Sequence, residues 1–411
     1  MTFLEPLSFD IVIIGGGAAG FFTAINAAEM APPAKICILE RGKEVLTKVR
    51  ISGGGRCNVT HAEFLPKELT KNYPRGEKEL RGPFHNFMTG DTIEWFGKRG
   101  VPLKVEEDGR MFPESNSSET IIDLFLQECK RLKIEVLTKR AVQALQQKND
   151  LWEISTSQET FTAKKILVAT GSNPKMWNML QELGHSIVPG VPSLFTFNIT
   201  DSRIKELPGV ATNAVVKLKR TKLETSGPLL ITHWGMSGPA ILKLSAWGAR
   251  ELSNKKNFEI EVNWLPEISG DIISEELRRL KQDHAKQSPH KYAQFNLPKR
   301  LWQSLLSASG IEAENRWADL NKQQLEELEQ QLTRGTFQVH GKSTFKEEFV
   351  TAGGVELKEV NFKTFESKIC KNLFLAGEVL NIDAITGGFN FQNAWTGGYL
   401  AARAMTTDSA V

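Results

Sequence analysis

The sequence predicts an α/β fold: a sheet with buried parallel strands, interrupted by a second, β-rich domain with a helical excursion. Three observations predict it. Near the N-terminus the apolar run at 10–14 enters Gly15-Gly16-Gly17-Ala18-Ala19-Gly20. Near the C-terminus the apolar run at 373–377 reaches Glu378 and is followed by Thr386-Gly387-Gly388-Phe389-Asn390-Phe391-Gln392. Between them the texture changes at about residue 191 and changes back near 345. A chain with this layout leaves its cofactor sheet, builds something else and returns to close it.

Taken in order, 10–15 reads as a buried parallel strand, since its apolar residues run without alternation. Residues 18–30 read as a helix of small and apolar residues, and 35–40 as a second strand ending in an acid. A polar stretch rich in Gly and Pro, 43–118, reads as irregular. A helix follows at 118–132, with Ser117 or Ser118 as its cap. Strands are expected near 134–137, 141–147 and 151–156. The run 165–171, ending in Thr170-Gly171, reads as a strand returning to the cofactor sheet.

Beyond 191, alternating stretches at 194–199, 211–219, 228–232 and 257–263 suggest antiparallel sheet or barrel structure. Between about 270 and 334 the spacing turns helical. Leu277 and Leu280, then Leu325, Leu328 and Leu332, form packing stripes. The last helix is expected at 391–404. The domains are therefore 1–190 with 345–411, and an insert at 191–344 containing a helical part at about 270–334.

Size and composition set outer bounds. With 411 residues the chain has room for two or three domains. Its 40% hydrophobic and 24% charged residues are ordinary for a globular protein. The formal charge of +3 gives nucleic-acid binding no general support. No apolar run approaches the roughly 18 residues of a membrane span, and the start lacks the pattern of a cleaved leader, so a cytoplasmic location is expected. Cys37, Cys57, Cys129 and Cys370 form no Cys-x-x-Cys, so neither a dithiol centre nor a metal site is expected.

Gly15-x-Gly17-x-x-Gly20 follows a strand and opens a helix, the context this fingerprint requires. Gly15 permits the tight turn, Gly17 lets the backbone approach a pyrophosphate, and Gly20 lets helix and strand pack closely. Glu40, 20 residues beyond Gly20, is placed to accept hydrogen bonds from ribose hydroxyls. Ser52-Gly53-Gly54-Gly55-Arg56-Cys57-Asn58 is a second unusual loop. Three consecutive glycines are costly to order, and they permit backbone to lie flat against a ligand. Arg56, assisted by Lys48, is a candidate to neutralise a pyrophosphate. Cys57 is either a small residue touching the cofactor or a thiol activated by Arg56. Gly377-Glu378 and the stretch 386–392 that opens the last helix suit the ribityl chain and pyrimidine end of a flavin, where a helix N-terminus stabilises negative charge. His233, on a turn with Trp234, is the candidate acid–base residue. No Gly-x-Ser-x-Gly elbow supports a hydrolase.

These residues resemble the BaiN/YhiN-like flavoproteins, also described as NAD(P)/FAD-dependent oxidoreductases or aminoacetone-oxidase-family FAD-binding enzymes. The likeness covers nearly the whole chain. Four motifs carry it: 52–58, Thr232-His233-x-Gly235-x-Ser237-Gly238-Pro239, Phe349-Val350-Thr351-Ala352-Gly353-Gly354-Val355, and Gly377-Glu378 with Asp383-Ala384-x-Thr386-Gly387-Gly388-Phe389-Asn390. Asn381 stands where the group usually has Asp, His61 where Asn is frequent, and Thr47 where Gly is common.

The resemblance implies an FAD domain of the glutathione-reductase type with an inserted β-barrel-like domain. It implies FAD contacts at Gly15, Gly17, Ala19, Glu40, Arg41, Arg56, Cys57, Asn58, Gly377, Glu378, Gly388 and Asn390, with Val142 beside the adenine. Ala18, Lys48, Ser52, Gly54, Thr170, Gly171, Asp383 and Phe389 complete the expected lining. The expected reaction is hydride transfer from NAD(P)H through FAD to an organic acceptor, with C=C reduction implied by a group member similar to an ene-type reductase of bile-acid intermediates. No second glycine fingerprint is present, so any nicotinamide docks without a domain of its own. The alternatives are an amine or alcohol oxidase, and a flavoprotein that acts on or binds RNA through basic residues such as Lys217, Lys219, Arg220 and Lys222.

Overall fold

The structure is a computed structural model and describes residues 6–343 and 350–407. The chain separates into two compact units, Met1–Val191 with Val350–Val411, and Pro192–Phe349. The boundary expected at 344–345 and the motif residue Phe349 lie outside the described residues.

The first unit is built on a mixed sheet. Its centre is the strand Leu7–Ile14, in which Ile11 to Ile14 are all buried, as a strand covered on both faces must be. It pairs in parallel with Ile36–Leu39 on one side and Thr160–Val168 on the other. Glu135–Leu137 adds in parallel beyond the former, and Leu373–Leu375 beyond the latter. The returning strand thus starts earlier than its apolar run and stops at Val168, which leaves Thr170 and Gly171 in the loop beyond the sheet. A hairpin of Val142–Lys148 and Leu151–Thr156 extends antiparallel from the lower half of Thr160–Val168.

Two helices form the main layer on this sheet. Ala18–Met30 and Phe389–Thr406 lie so close that a Cβ on Gly398 would sit 2.8 Å from Thr23 Oγ1. Phe22 packs on Trp95 and Trp395, with ring centroids 4.5 and 5.1 Å away. The helix Ser118–Arg131 begins as expected, with Ser117 Oγ accepting from Glu119 N.

The stretch 43–118 differs from its irregular reading. It holds short helices at Thr47–Gly55, Pro66–Thr70, Glu77–Phe84 and Thr89–Gly97, and a small antiparallel sheet of Thr60–His61, Leu103–Val105 and Arg110–Pro113. Each helix is too short to show a hydrophobic period, and tertiary packing stabilises what propensity does not.

The second unit is an antiparallel sheet in the order Gly335–Val339, Phe258–Asn263, Ala211–Leu218, Glu224–Thr232, Gly235–Ser237, Thr196–Asn198, Gly341–Ser343. Its first and last strands are one run of chain bent at His340, so the sheet curls on itself like a barrel. The helices Gly270–Asp283, Lys299–Ala308 and Lys322–Arg334 share one core with it. Leu277, Leu280, Leu328 and Leu332 are buried there and Leu325 packs at its margin, as their spacing predicts.

A buried histidine ties the C-terminal return to the first unit. His185 Nδ1 lies 3.2 Å from Glu359 Oε2, and Ser367 Oγ lies 3.1 Å from His185 Nε2. Ser367 Oγ also accepts from Ile369 N and Cys370 N, so its proton goes to the imidazole and His185 carries its own on Nδ1. Burial holds the His185 imidazole below its ordinary value, against the opposing pull of Glu359. A depressed histidine contributes stability that is present above the unfolded value of about 6.5 and lost as the pH falls toward the folded one. Denaturant unfolding between pH 7 and 5 is expected to show a decline of up to about 1.4 kcal/mol per pH unit. His185→Gln removes that slope; an unchanged slope in the variant would locate the acid sensitivity elsewhere.

Candidate cofactor site

The fingerprint turn sits against the returning strand. Gly15 has φ +117°, and a Cβ on it would lie 2.4 Å from Ala169 O, so only glycine fits. A Cβ on Gly20 would lie 2.0 Å from Gly15 O. Gly17 is different: a Cβ there meets nothing within 4 Å. It caps the helix Ala18–Met30, whose start has neither a side-chain cap among the described residues nor an acid in its first turn. Uncapped N–H groups facing open space are an anion site in waiting.

Glu40 closes one side of this opening. Its two carboxylate oxygens accept from Gly16 N at 2.9 Å and from Gly42 N at 2.7 Å. Each oxygen keeps a lone pair for a further donor such as a ribose hydroxyl. Backbone bonds from Arg140 N to Glu40 O and from Lys139 N to Gly42 O bring the start of the hairpin, Val142, to the same edge. Arg41 is exposed beside them.

The glycine loop forms the next stretch of lining. The helix Thr47–Gly55 breaks at Ser52, and Gly53, Gly54 and Gly55 are all left-handed. A Cβ on Gly53 would lie 2.9 Å from the Phe112 ring, whereas Gly54 and Gly55 face open space. Ser52 is occupied locally, its Oγ donating to Val49 O. Arg56 stacks on Phe112, 3.9 Å from the ring centroid, and pairs with Glu106 at 2.6 Å. Cys57 is fully buried with φ +60°, and burial pushes its thiol up to about 12, opposed by a hydrogen bond with Ser52. A thiol held this high is not a thiolate at neutral pH, which argues against activation by Arg56 and favours the reading of a small residue that would touch the cofactor.

The C-terminal motif meets these pieces across more than 300 residues of chain. Lys48 Nζ lies 2.5 Å from Glu378 Oε2. A Cβ on Gly377 would be 3.3 Å from Ala19 Cβ, and one on Gly171 would be 3.5 Å from Glu378 Oε2. The last helix starts at Gly388, φ +93°, where a Cβ would lie 2.5 Å from Thr60 O. With its amide turned to satisfy both ends, Asn58 accepts from Gly388 N at 3.0 Å and donates to Thr60 O. Asn390 spends its side chain on Ala384, accepting from the N–H and donating to the carbonyl.

Asp383 is fully buried in a bidentate pair with Arg75, so its carboxylate positions chain and does not face a ligand. Arg75 was invisible to sequence reading. A lone Arg in a turn carries no motif, and its partner is 308 residues away. His233 lies in the second unit, exposed on the two-residue turn of the hairpin Glu224–Thr232 and Gly235–Ser237.

The residues fit a flavin dinucleotide. The open face against Gly17 suits a pyrophosphate and Glu40 suits a ribose. Asn381 Oδ1 and Asn393 Oδ1 are buried without a partner among the described residues; both stand near the start of the last helix, where the hydroxyl and N–H donors of a flavin would satisfy them. Among the described residues no cluster of ligating side chains offers a metal site, and no helix is long and apolar enough to cross a membrane.

Comparison with known proteins shows the family and a likeness of fold. The family model of the HI0933-like protein Rossmann domain matches residues 9–404. The chain is 29% identical over 409 residues to the 3-dehydro-bile acid delta(4,6)-reductase of Clostridium scindens, covering 96% of this chain and 98% of that protein. It is 28% identical over 406 residues to the ribosomal RNA dihydrouridine synthase of Haemophilus influenzae, covering 95% and 97%. The crystal structure of a 3-ketosteroid-delta4-(5alpha)-dehydrogenase from Rhodococcus jostii superposes with a TM-score of 0.52 at 12% identity, covering 99% of both chains, which is a likeness of fold.

Two outcomes follow for the site. Gly388→Ala forces an L-residue into left-handed backbone, at about 1–2 kcal/mol, and drives a methyl onto the Thr60 carbonyl. The variant is expected to melt lower and to hold FAD more weakly, read by thermal melting and flavin fluorescence. Cys57 is expected to resist alkylation of the native protein at pH 7.5 and to react only on unfolding, read by peptide mass mapping; native labelling would overturn its burial.

Proposed function

Because this chain belongs to the HI0933-like family of Rossmann-domain FAD-dependent oxidoreductases, we propose that it reduces a C=C bond activated by a neighbouring carbonyl, with NAD(P)H as the electron donor. One observation carries the reading. Two relatives that match nearly end to end are named for different substrates, a bile acid and a ribosomal RNA. Both names describe the same event, the addition of two hydrogens across a carbon–carbon double bond. A shared family fold with a changing acceptor suits a chain whose cofactor pieces lie in one unit, while a separate unit is left for substrate choice.

FAD supplies two-electron hydride chemistry when bound. The chain's own part is to bind and orient it. Gly15, Gly17 and the start of the helix Ala18–Met30 would hold the pyrophosphate, Glu40 a ribose, and Glu378 the ribityl chain. The start of the last helix would meet the pyrimidine end. His233 is the candidate proton donor; its turn places it on an exposed surface of the second unit. Among the described motifs no second glycine fingerprint exists, so the nicotinamide would dock, react and leave.

A second acceptor is favoured by the Haemophilus relative: a uracil base within RNA. The basic hairpin of the second unit is partly neutralised, since Lys219 pairs with Glu259 at 3.3 Å. The deciding measurement is anaerobic stopped-flow reduction of the holoprotein by NADH, NADPH and a panel of amines and alcohols. Rapid bleaching by a nicotinamide is expected. Bleaching by an amine or alcohol alone would make the protein an oxidase and end the proposal. Reoxidation of the reduced protein by steroid enones or by ribosomal RNA then separates the two acceptors.

A further inference from the structure

The turn Asn72-Tyr73-Pro74-Arg75-Gly76 belongs to no motif, and it grips the segment leading into the last helix at five points. Ile385 N donates to Asn72 O at 3.0 Å. Tyr73, fully buried, donates its hydroxyl to Phe389 O at 2.6 Å. Arg75 forms a β-bridge with Asp383 and pairs with its carboxylate in bidentate fashion. Gly76 presses on Ile382, where a Cβ would meet Ile382 Cγ1 at 2.8 Å, and its φ of +97° lets the turn close. From the other side, Asn390 pins Ala384 by both ends of its amide. The segment 382–389 is thus held from two sides, and what it holds in place is the start of the last helix.

We propose that this turn is a clamp that sets the reduction potential of the bound flavin, with Arg75 and Tyr73 as its positioning residues. The inference rests on the reading that the flavin's pyrimidine end meets the start of the last helix. Helix-terminal N–H groups stabilise the negative charge that reduction places on that end only if they are aimed before the charge arrives. Neither Phe389 N nor Asn390 N has a partner within the helix, because the first turn of any helix lacks one. Their direction is set by the chain before them. That chain is short of regular structure, so its geometry comes from the clamp. Arg75 suits the task because its planar fork fixes an orientation as well as a distance.

Two variants test this without stranding a buried charge. Tyr73→Phe removes one hydrogen bond and keeps the ring. Arg75→Met with Asp383→Asn removes both partners of the ion pair together, which a fold tolerates better than removal of one. Reduction potential is measured by equilibration with a reference dye, FAD affinity by fluorescence, and folding by thermal melting. The expected result is a folded double variant whose bound FAD has a more negative potential than in the parent, with a smaller shift of the same sign in Tyr73→Phe. Arg75→Lys, which keeps charge without the fork, is expected to fall between parent and double variant. Unshifted potentials in folded Tyr73→Phe and Arg75→Lys overturn the clamp. A parent protein that takes up no FAD overturns the cofactor reading itself, and the clamp's role with it; FAD uptake with unshifted potentials overturns the clamp alone.

Discussion

The seating of Gly388 against the Thr60 carbonyl is the contact on which the rest of the first unit depends. A Cβ would come within 2.5 Å of that oxygen, and φ is +93°. The last helix can start at this point and at this depth only because no side chain intervenes. Its start fixes where Gly398 reaches Thr23, and so how closely the first and last helices pack. It also fixes where the segment 377–387 crosses the first turn of the fingerprint helix. The proposed cofactor cradle is therefore a product of chain closure: residues 15–20 would supply one wall and 377–390 the other, and a single close contact sets their spacing.

A buried polar network keeps that contact in register. Gln392 Oε1 accepts from Thr60 Oγ1 at 2.6 Å and from Thr92 Oγ1 at 3.0 Å, and its Nε2 donates to Thr396 Oγ1 at 3.1 Å. Trp395 Nε1 donates to Val59 O. An unsatisfied group at such depth costs about 1–3 kcal/mol, so a shift of the last helix by one residue would break several bonds together. Apolar packing alone tolerates small slides. A satisfied polar network does not, which explains why Thr and Gln occupy a core that Phe22, Trp95 and Trp395 would otherwise fill with apolar contacts.

What the sequence revealed follows from the range of the interactions. The strand read at 10–15 and found at Leu7–Ile14, the helix at 18–30, the capped helix read at 118–132 and found at Ser118–Arg131, and the leucine stripes of the second unit each arise from local pattern, and each was legible. Thr47–Gly97 was not. Its helices are 5 to 9 residues long, and glycines interrupt the first of them. They exist because Tyr73, Leu80 and Phe84 are buried by neighbours far away in sequence. The pairing of Arg75 with Asp383 and of Lys48 with Glu378 was equally out of reach. The sequence announces that charges exist and says nothing of which ones meet across 300 residues. A barrel-like second sheet was expected, but the place where it closes, His340, escaped for a similar reason, since two edge strands become one run only once both ladders are known.

The pairing of charges in the site bears on how the cofactor's own charge is met. Sequence reading gave Arg56 and Lys48 the task of neutralising a pyrophosphate. In the structure both are already matched, Arg56 by Glu106 and Phe112, and Lys48 by Glu378. A cation held by a carboxylate gives up much of its pull on a third charge. A source of positive potential at Gly17 that no acid in its own first turn offsets is the fingerprint helix itself, equivalent to roughly half an elementary charge at its N-terminus, with exposed Arg41 nearby. Backbone dipoles are fixed by the fold and need no reorganisation when an anion arrives. On the proposed placement of the flavin, the same would hold at its pyrimidine end, where the last helix would play the corresponding part. On that placement two helix starts, one at each end of the cradle, would do by geometry what paired side chains cannot do by charge, and the features that place those starts, Gly15 against Ala169 and the 72–76 turn against 382–389, would matter more to the site than any single cation near it.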